Sequence, residues 1–159
     1  MIVKNKYLNS DKKCFILGTG PSLEDTPLEK LEAHFTIGVN LILNSGFVPN
    51  VICVSDRDMI NDNYNMIIDE RMKDRDYLIV KPKHQVVLDK LTKLENVKLI
   101  EGFKETGVRK PFLDPQLQRF AMTSNGVIND LAVSLAVYLG FKQIHLLGAD
   151  GRHGKNSHF

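Results

Sequence analysis

The chain has 159 residues, of which 43% are hydrophobic and 25% are charged, and its formal net charge at pH 7 is +2. These values are typical of a globular protein that is long enough to bury a core within one domain. The small charge, with Lys and Arg interspersed among Asp and Glu, gives no basis for nucleic-acid binding. Residues 1–13 lack the apolar centre of a signal peptide, and no apolar run approaches the length of a membrane span. We therefore expect a single cytoplasmic domain over residues 1–159, with no transmembrane segment.

The two cysteines, Cys14 and Cys53, each lie inside a short apolar run. Neither has a second cysteine at the C-x-x-C spacing of metal and redox sites. We therefore expect reduced thiols in the core, where unpaired cysteines of cytosolic proteins are usually found.

Short apolar runs alternate with helical patterns along the chain. The runs predicted as strands are 15–17, 36–39, Val51–Val54, 77–80, 97–100 and Gln143–Leu147. The predicted helices are a short one at 27–33, a surface helix within 58–76, one around 85–94 and a long one at 126–139. Segment 102–123 has no clear period, which is typical of a loop or a lid over a site. The alternation predicts a Rossmann-like α/β fold, with three αβα layers and a mostly parallel sheet.

The first predicted strand leads directly into a glycine-rich turn, Gly18-Thr19-Gly20-Pro21-Ser22. Ligands of α/β proteins bind at the carboxyl ends of parallel strands, and glycine lets a phosphate approach the backbone. The turn lacks the third glycine of the G-x-G-x-x-G dinucleotide fingerprint, and Pro21 removes one backbone N–H donor. A nucleotide-binding turn and a tight strand-to-helix turn both fit these residues.

Polar residues also follow three other predicted strands, namely Asn40, Ser55 with Asp56, and Asp150. Each has a structural alternative, because Asn, Ser and Asp commonly cap turns and helices. The longest predicted helix begins with a polar run whose backbone N–H groups and helix dipole suit an anion. That run is Thr123, Ser124, Asn125 and Gly126. Because parallel strands end at one edge of a sheet, these residues together predict a ligand site at that edge.

Residues 151–159 contain two histidines, His153 and His158. Their spacing matches no metal-site signature, so we predict no metal ligands here and favour a basic loop that covers a phosphate. A neutral imidazole can deprotonate a hydroxyl near neutral pH, which makes His158 a candidate general base, and Asp150 is a second catalytic candidate. An α/β domain normally continues after such a strand and turn, so we expect a longer native protein.

Several segments, in the same order, resemble a pattern shared by two related families. The segments are 18–23, 36–40, 49–50, 54–56, 123–127, 139–144, 147–150 and 157–159. One family is the 6-hydroxymethylpterin pyrophosphokinase-like (MptE-like) proteins, many of which lie in surface-polysaccharide loci. The other is the bacterial sialyltransferases of glycosyltransferase family 42, which use CMP-sialic acid.

The sialyltransferase resemblance implies a nucleotide site that requires no cofactor. It implies that residues 18–22 lie beside the nucleotide phosphate and sugar, that Asn40 contacts the nucleotide, and that Ser124 lies near the phosphate. Asp150 matches the aspartate that ends the last strand in that family. The family's catalytic base is the second histidine of an N-S-H-Y-x-G-H run, whereas this sequence stops just after the first, His158.

The pyrophosphokinase resemblance rests on Asp56 and Asp58, which follow the third predicted strand. It implies that these carboxylates hold Mg²⁺ on a nucleoside triphosphate. The sialyltransferase counterpart of Asp56 is an asparagine, and a helix cap is the structural alternative for this residue.

These resemblances favour a nucleotide-sugar-dependent, sialyltransferase-like glycosyltransferase of bacterial surface-glycan or lipopolysaccharide biosynthesis. Its expected partners are a CMP-sugar-like donor and a glycan acceptor, without nucleic acid. The alternatives are a Mg²⁺-dependent ATP pyrophosphokinase of the MptE-like type and a catalytically inert nucleotide-binding domain. The sequence leaves the oligomeric state open, and a homo-oligomer is compatible with it.

Overall fold

Seven parallel strands form one sheet in the computed structural model, which describes residues 2–104, 113–114, 116–122 and 126–150. Their order across the sheet is β6-β5-β4-β3-β2-β1-β7. Along the chain they are β1 (Lys13–Leu17), β2 (Phe35–Val39), β3 (Val51–Val54), β4 (Asp76–Val80), β5 (Val97–Lys104), β6 (Arg119–Met122) and β7 (Gln143–Leu147). The sequence-based prediction of a Rossmann-like α/β fold is confirmed.

The middle strands supply most of the core, because a parallel sheet is covered on both faces and its central strands lose contact with water. All of β3 is buried, and so is β4 apart from its first residue. Cys14 and Cys53 are fully buried and form no disulfide, so the predicted reduced core thiols are confirmed.

All six predicted strands are present, but the prediction for segment 102–123 is wrong in part. Strand β5 continues to Lys104, and Glu101 to Lys104 pair in register with Arg119 to Met122 of β6. Strand β6 has only four residues, which is too short for an alternating pattern to be recognised in the sequence. Residues 105–112, 115 and 123, which belong to the predicted lid, lie outside the described residues.

The helices are shorter than the sequence predicts. The surface helix expected within 58–76 is divided into α1 (Arg57–Asp62), α2 (Tyr64–Ile67) and a 3₁₀ turn, because Asn63 leaves the helical conformation between α1 and α2. The helix expected at 27–33 is one 3₁₀ turn, Leu28–Leu31, since β2 begins four residues later. Helix α3 (Gln85–Leu91) lies within its predicted range. In the described part of the chain, no helix is long and apolar enough to cross a bilayer.

The connection from β6 to β7 contains a π-helix, Ile128–Val133, followed by α4, Ser134–Tyr138. The sequence predicts this helical segment over 126–139, and Gly140 ends it at φ +90°, as expected for a C-terminal cap. The π-helix packs against β1, β2, β3 and β6, so this connection crosses one face of the sheet.

The strand order places β1 between β2 and β7. From β1 to β6 the chain moves steadily in one direction across the sheet, and it then returns to the other side of β1. The carboxyl ends of β1 and β7 therefore meet where the winding direction reverses. In open α/β sheets this switch point is where ligands usually bind.

Candidate functional site

The turns that follow β1 and β7 are hydrogen-bonded to each other beyond the ends of the strands. The Gly18 N–H donates to the Leu147 carbonyl at 2.8 Å, and the Gly20 N–H donates to the Gly148 carbonyl at 2.9 Å. The sheet pairing thus extends into the two turns and fixes their relative position at the switch point.

The close approach of these turns accounts for the glycine at position 20. Gly20 has φ −77°, an angle that any residue adopts, so backbone conformation does not require glycine there. A Cβ on Gly20 would lie 2.6 Å from Asp150 Oδ2 and 2.7 Å from the Gly148 carbonyl oxygen. The group that approaches the Gly20 backbone in this structure is therefore the β7 turn.

Ser22 and Asp150 join the same two turns through side-chain hydrogen bonds. The Ser22 N–H donates to Asp150 Oδ2 at 2.8 Å, and the Ser22 hydroxyl donates to Asp150 Oδ1. Pro21 begins a 3₁₀ turn here, so the Asp150 carboxylate accepts one of the N–H groups that a helix start leaves unpaired. The predicted site residues of β1 and β7 are thus brought together, and Asp150 has a structural contact in addition to its predicted catalytic role.

Asn40 lies at the carboxyl end of β2, next to β1 in the sheet. It has φ +53°, and its N–H donates to the Cys53 carbonyl of β3 at 3.0 Å. Its side-chain oxygen Oδ1 is buried and accepts no hydrogen bond from any described residue. A buried acceptor without a partner costs about 1–3 kcal/mol, so a group that donates to this oxygen would be favoured here.

Asp56 caps helix α1, as its structural alternative predicts. Its Oδ1 accepts from the Asp58 N–H at 2.9 Å and from the Met59 N–H at 3.0 Å. The exposed Asp58 carboxylate accepts from Lys83 Nζ at 3.0 Å. Ser55 precedes this cap at the end of β3 and is half-buried. Both aspartates lie at the predicted edge of the sheet, but each is already engaged in another contact.

The remaining predicted site residues lie outside the described residues. They are Thr123, Ser124, Asn125, His153 and His158. Gly126, which follows the first three, is exposed and has φ +80°. The predicted anion-binding helix start and the predicted base therefore stay predictions.

A charged cluster beyond the ends of β3 and β4, completed by Glu101 from within β5, was not predicted from the sequence. Arg57 Nη2 lies 3.7 Å from Glu101 Oε2, and Lys81 Nζ lies 3.7 Å from Glu101 Oε1. The available signal was that Lys81 directly follows a predicted strand and Arg57 lies three residues after the end of another. The two residues are 24 positions apart in the sequence, so their shared contact with Glu101 could not be predicted from local patterns.

No group of three or more His, Cys, Asp or Glu side chains that could hold a metal occurs within the described ranges. A groove of about 580 Å³ lies at the opposite, amino edge of the sheet, beside the starts of β4 and β5. It is lined by residues that include Asp69, Tyr77, Lys93 and Asn96, and by none of the predicted site residues.

The thiols are poor candidates for nucleophilic chemistry. Burial raises the pKa of the Cys14 thiol to about 12. Burial, with a smaller effect of Cys14, raises the pKa of the Cys53 thiol as well. A protonated thiol in the core is unreactive, because the thiolate is the nucleophilic form.

The chain is similar to known proteins in its sequence and in its fold. The profile of the family described as 6-hydroxymethylpterin diphosphokinase MptE-like matches residues 2–156. The structure is similar to that of the MAf glycosyltransferase from Magnetospirillum magneticum AMB-1, with a TM-score of 0.56 and 16% identity over 99% of this chain. The chain spans 26% of the length of that protein, and at this identity the likeness concerns the fold. No curated protein matches the sequence.

Proposed function

This chain belongs to the 6-hydroxymethylpterin diphosphokinase MptE-like family, and from that premise we propose that it binds a nucleotide sugar and transfers the glycosyl group. The proposed nucleotide site lies at the carboxyl ends of β1, β2 and β7. The fold shared with a glycosyltransferase supports this proposal at the level of architecture.

The observation that carries the proposal is the side-chain oxygen of Asn40, which accepts no hydrogen bond from the part of the chain that the structure describes. It is a buried acceptor at the switch-point edge, next to the turn of β1. Nucleotides offer suitable donors, namely the ribose hydroxyls and the exocyclic amino groups of the bases. A nucleotide that donates to Asn40 Oδ1 would extend over the turns of β1 and β7.

The proposed reaction is a displacement at the anomeric carbon of the donor sugar. The acceptor hydroxyl loses its proton to a base, for which His158 is proposed, and its oxygen forms the new bond to the anomeric carbon. The bond from that carbon to the phosphate oxygen breaks, and the nucleotide leaves with the electron pair. Because Asp150 holds the Ser22 turn through two hydrogen bonds, its proposed part is to position that turn.

The proposed donor is a CMP-sugar and the proposed acceptor is a glycan of the bacterial surface. The setting that this implies is lipopolysaccharide assembly on the cytoplasmic side of the membrane. These finer assignments rest on the sequence resemblance to sialyltransferases.

A thermal-shift screen tests the proposal directly. The ligands are each added with and without Mg²⁺, and they are CMP, CDP, UDP, GDP and ATP. A ligand at a concentration of about 100 times its Kd stabilises the fold by ~2.7 kcal/mol, which such a screen detects. A shift with CMP that does not need Mg²⁺ supports the glycosyltransferase, and release of CMP from CMP-sialic acid then tests turnover. Absence of any nucleotide shift contradicts the proposed site.

A diphosphokinase is the second candidate, favoured by two aspartates at the carboxyl end of β3. Carboxylate oxygens are ligands that Mg²⁺ prefers, yet Asp56 caps α1 and Asp58 pairs with Lys83. This candidate predicts an ATP shift that requires Mg²⁺ and is lost in Asp56→Asn.

A catalytically inert domain is the remaining possibility raised by the sequence. It predicts a nucleotide shift without turnover on any nucleotide sugar or on ATP. The same screen followed by an assay of nucleotide release distinguishes it from the two enzymes.

A further inference from the structure

Arg57 lies at a position where its guanidinium can receive a ligand. It is the first residue of α1, directly after the β3 turn, and its side chain is 34% exposed. Glu101 and Lys81 reach the same place from β5 and from the end of β4. The Lys81 N–H donates to the carbonyl of Ile100 at 2.9 Å. This hydrogen bond places Lys81 beside Glu101, the residue after Ile100, at the carboxyl edge of the sheet.

The hydrogen-bonding edge of the Arg57 guanidinium is not satisfied. Its Nε is buried and donates to no described residue. Its Nη2, on the same edge as Nε, is 3.7 Å from Glu101 Oε2, which is longer than a hydrogen bond. The pair Nε and Nη2 forms the planar fork that binds carboxylates and phosphates through two parallel hydrogen bonds.

Arg71 shows how the same fork looks when it is satisfied. Its Nε donates to Asp69 Oδ1 and its Nη2 donates to Asp69 Oδ2, both at 2.9 Å. This pair lies at the start of a 3₁₀ turn near the opposite edge of the sheet. Arg57 has a carboxylate nearby as well, but without either hydrogen bond.

Arg57 and Lys81 both face the carboxylate of Glu101. Each lies 3.7 Å from it, so neither cation has a hydrogen-bonded ion pair with this carboxylate. The side chains of Glu101 and Lys81 are 46% and 45% exposed, so Glu101 can swing into solvent.

We propose that Arg57 and Lys81 form an oxyanion subsite, for which Glu101 serves as a resident counter-ion that an incoming phosphate or carboxylate displaces. This inference rests on the proposed function, because the subsite extends the nucleotide site along the same edge. Asn40 directly follows β2, and β3, β4 and β5 lie beyond β2 in the sheet at intervals of about 4.8 Å. A sugar-nucleotide donor or a glycan acceptor that extends about 10–15 Å along the edge can contact both Asn40 and the Arg57–Lys81 subsite.

The subsite is tested by titrating the ¹⁵N-labelled protein with inorganic phosphate, with acetate and, at matched ionic strength, with NaCl. The Arg57 Nε–Hε signal is assigned by its absence from the spectrum of Arg57→Lys, whose fold is checked by thermal melting. Arg71→Lys is the matched control, because it removes a satisfied fork at the other edge of the sheet.

We expect a saturable shift of the Arg57 signal with phosphate or with acetate, beyond any shift caused by NaCl. Arg57→Lys keeps the charge without the fork. Followed through the backbone amide signals of Lys81 and Glu101, which every variant keeps, the anion should bind about tenfold more weakly to Arg57→Lys and equally well to Arg71→Lys. Glu101→Gln should bind it roughly two- to fivefold more tightly, because the competing ion pair is gone. A response to phosphate alone identifies a nucleotide phosphate as the occupant, and a response to acetate alone identifies a carboxylate of the sugar or acceptor.

An Arg57 signal that does not respond, or responds equally to NaCl, overturns the subsite. Equal loss of anion binding in Arg71→Lys and Arg57→Lys overturns it as well. Nucleotide binding that depends on Asn40 is measured separately. If it persists while Arg57 fails to respond, the subsite is wrong and the proposed function stands. An anion response without nucleotide binding supports the subsite and contradicts the function.

Discussion

Ser22 donates both its backbone N–H and its hydroxyl to the carboxylate of Asp150, 128 residues later in the chain. This contact joins the turn of the first strand to the turn of the last one. Together with the backbone bonds of Gly18 and Gly20, it makes the switch-point edge a single bonded unit.

The Ser22–Asp150 contact should stabilise the fold cooperatively. Hydrogen bonds to charged groups contribute about 1.5–3 kcal/mol, and partial exposure lowers that value, so we expect Asp150→Ala to cost about 1–2 kcal/mol. Ser22→Ala should cost about 1 kcal/mol. Urea denaturation of both variants and of the double variant should give a coupling energy of about 1 kcal/mol. Strict additivity of the two losses would show that the contact does not stabilise the fold.

Gly18→Ala should destabilise the protein more than Gly46→Ala. A Cβ on Gly18 would overlap the Gly148 carbonyl, whereas Gly46 has open space around it. Gly46 has φ +81°, so alanine there should cost about 1–2 kcal/mol from backbone strain alone. We expect Gly18→Ala to exceed that value, because the β7 turn must move. Urea denaturation measures both losses, and an equal or smaller loss for Gly18→Ala would contradict the packing described here.

Both thiols should resist modification while the chain is folded. At pH 8, Ellman's reagent should label neither cysteine in the native protein and both after unfolding in urea, because Cys14 and Cys53 are fully buried. Rapid labelling of the native protein would contradict this burial.

The raised thiol pKa also predicts a loss of stability at alkaline pH. The unfolded chain releases the Cys14 proton near the ordinary value of 9.0, and the folded chain releases it near 12. The free energy of unfolding should therefore fall as the pH rises from about 9 toward 12. Cys14→Ala should reduce this slope in urea titrations at several pH values, and an unchanged slope would assign the loss to other groups.

Tyr77→Phe should lower stability without affecting nucleotide binding. The buried Tyr77 hydroxyl donates to the Ile67 carbonyl at 3.0 Å and accepts from the Asp69 N–H at 3.2 Å. Removing it leaves both groups unpaired, which should cost about 1–3 kcal/mol. Because this contact lies toward the amino edge, the nucleotide Kd at a temperature below unfolding should match the wild type. A weaker Kd would show that the two edges are coupled.

Much of the fold could be predicted from the sequence, because buried parallel strands are short apolar runs and these runs alternate with helical patterns. Strand β6 could not be predicted from the sequence, because it has only two buried residues, Phe120 and Ala121, between Arg119 and Met122. The division of the 58–76 region was also hidden, because the helical break at Asn63 depends on its backbone conformation in the packed structure.

The site could be predicted only as an edge of the sheet. Gly18, Ser22, Asn40 and Asp150 follow strand ends, and parallel strands bring those ends together. The sequence does not show that the Gly20 backbone faces the β7 turn, nor that Arg57 and Lys81 meet at Glu101. Those relationships depend on the strand order, which local sequence patterns do not specify.

The most direct test of the nucleotide site is calorimetric titration of CMP into Asn40→Gly. Glycine adopts the φ +53° backbone at position 40 without strain and removes the side chain with its carboxamide. Asn5→Gly is the matched control, because Asn5 has φ +56° and its N–H donates to the Tyr138 carbonyl at the opposite edge of the sheet. We predict saturable CMP binding to the wild type and to Asn5→Gly, and binding about fivefold to tenfold weaker to Asn40→Gly. An unchanged Kd in Asn40→Gly, or no CMP binding to the wild type, would contradict the account.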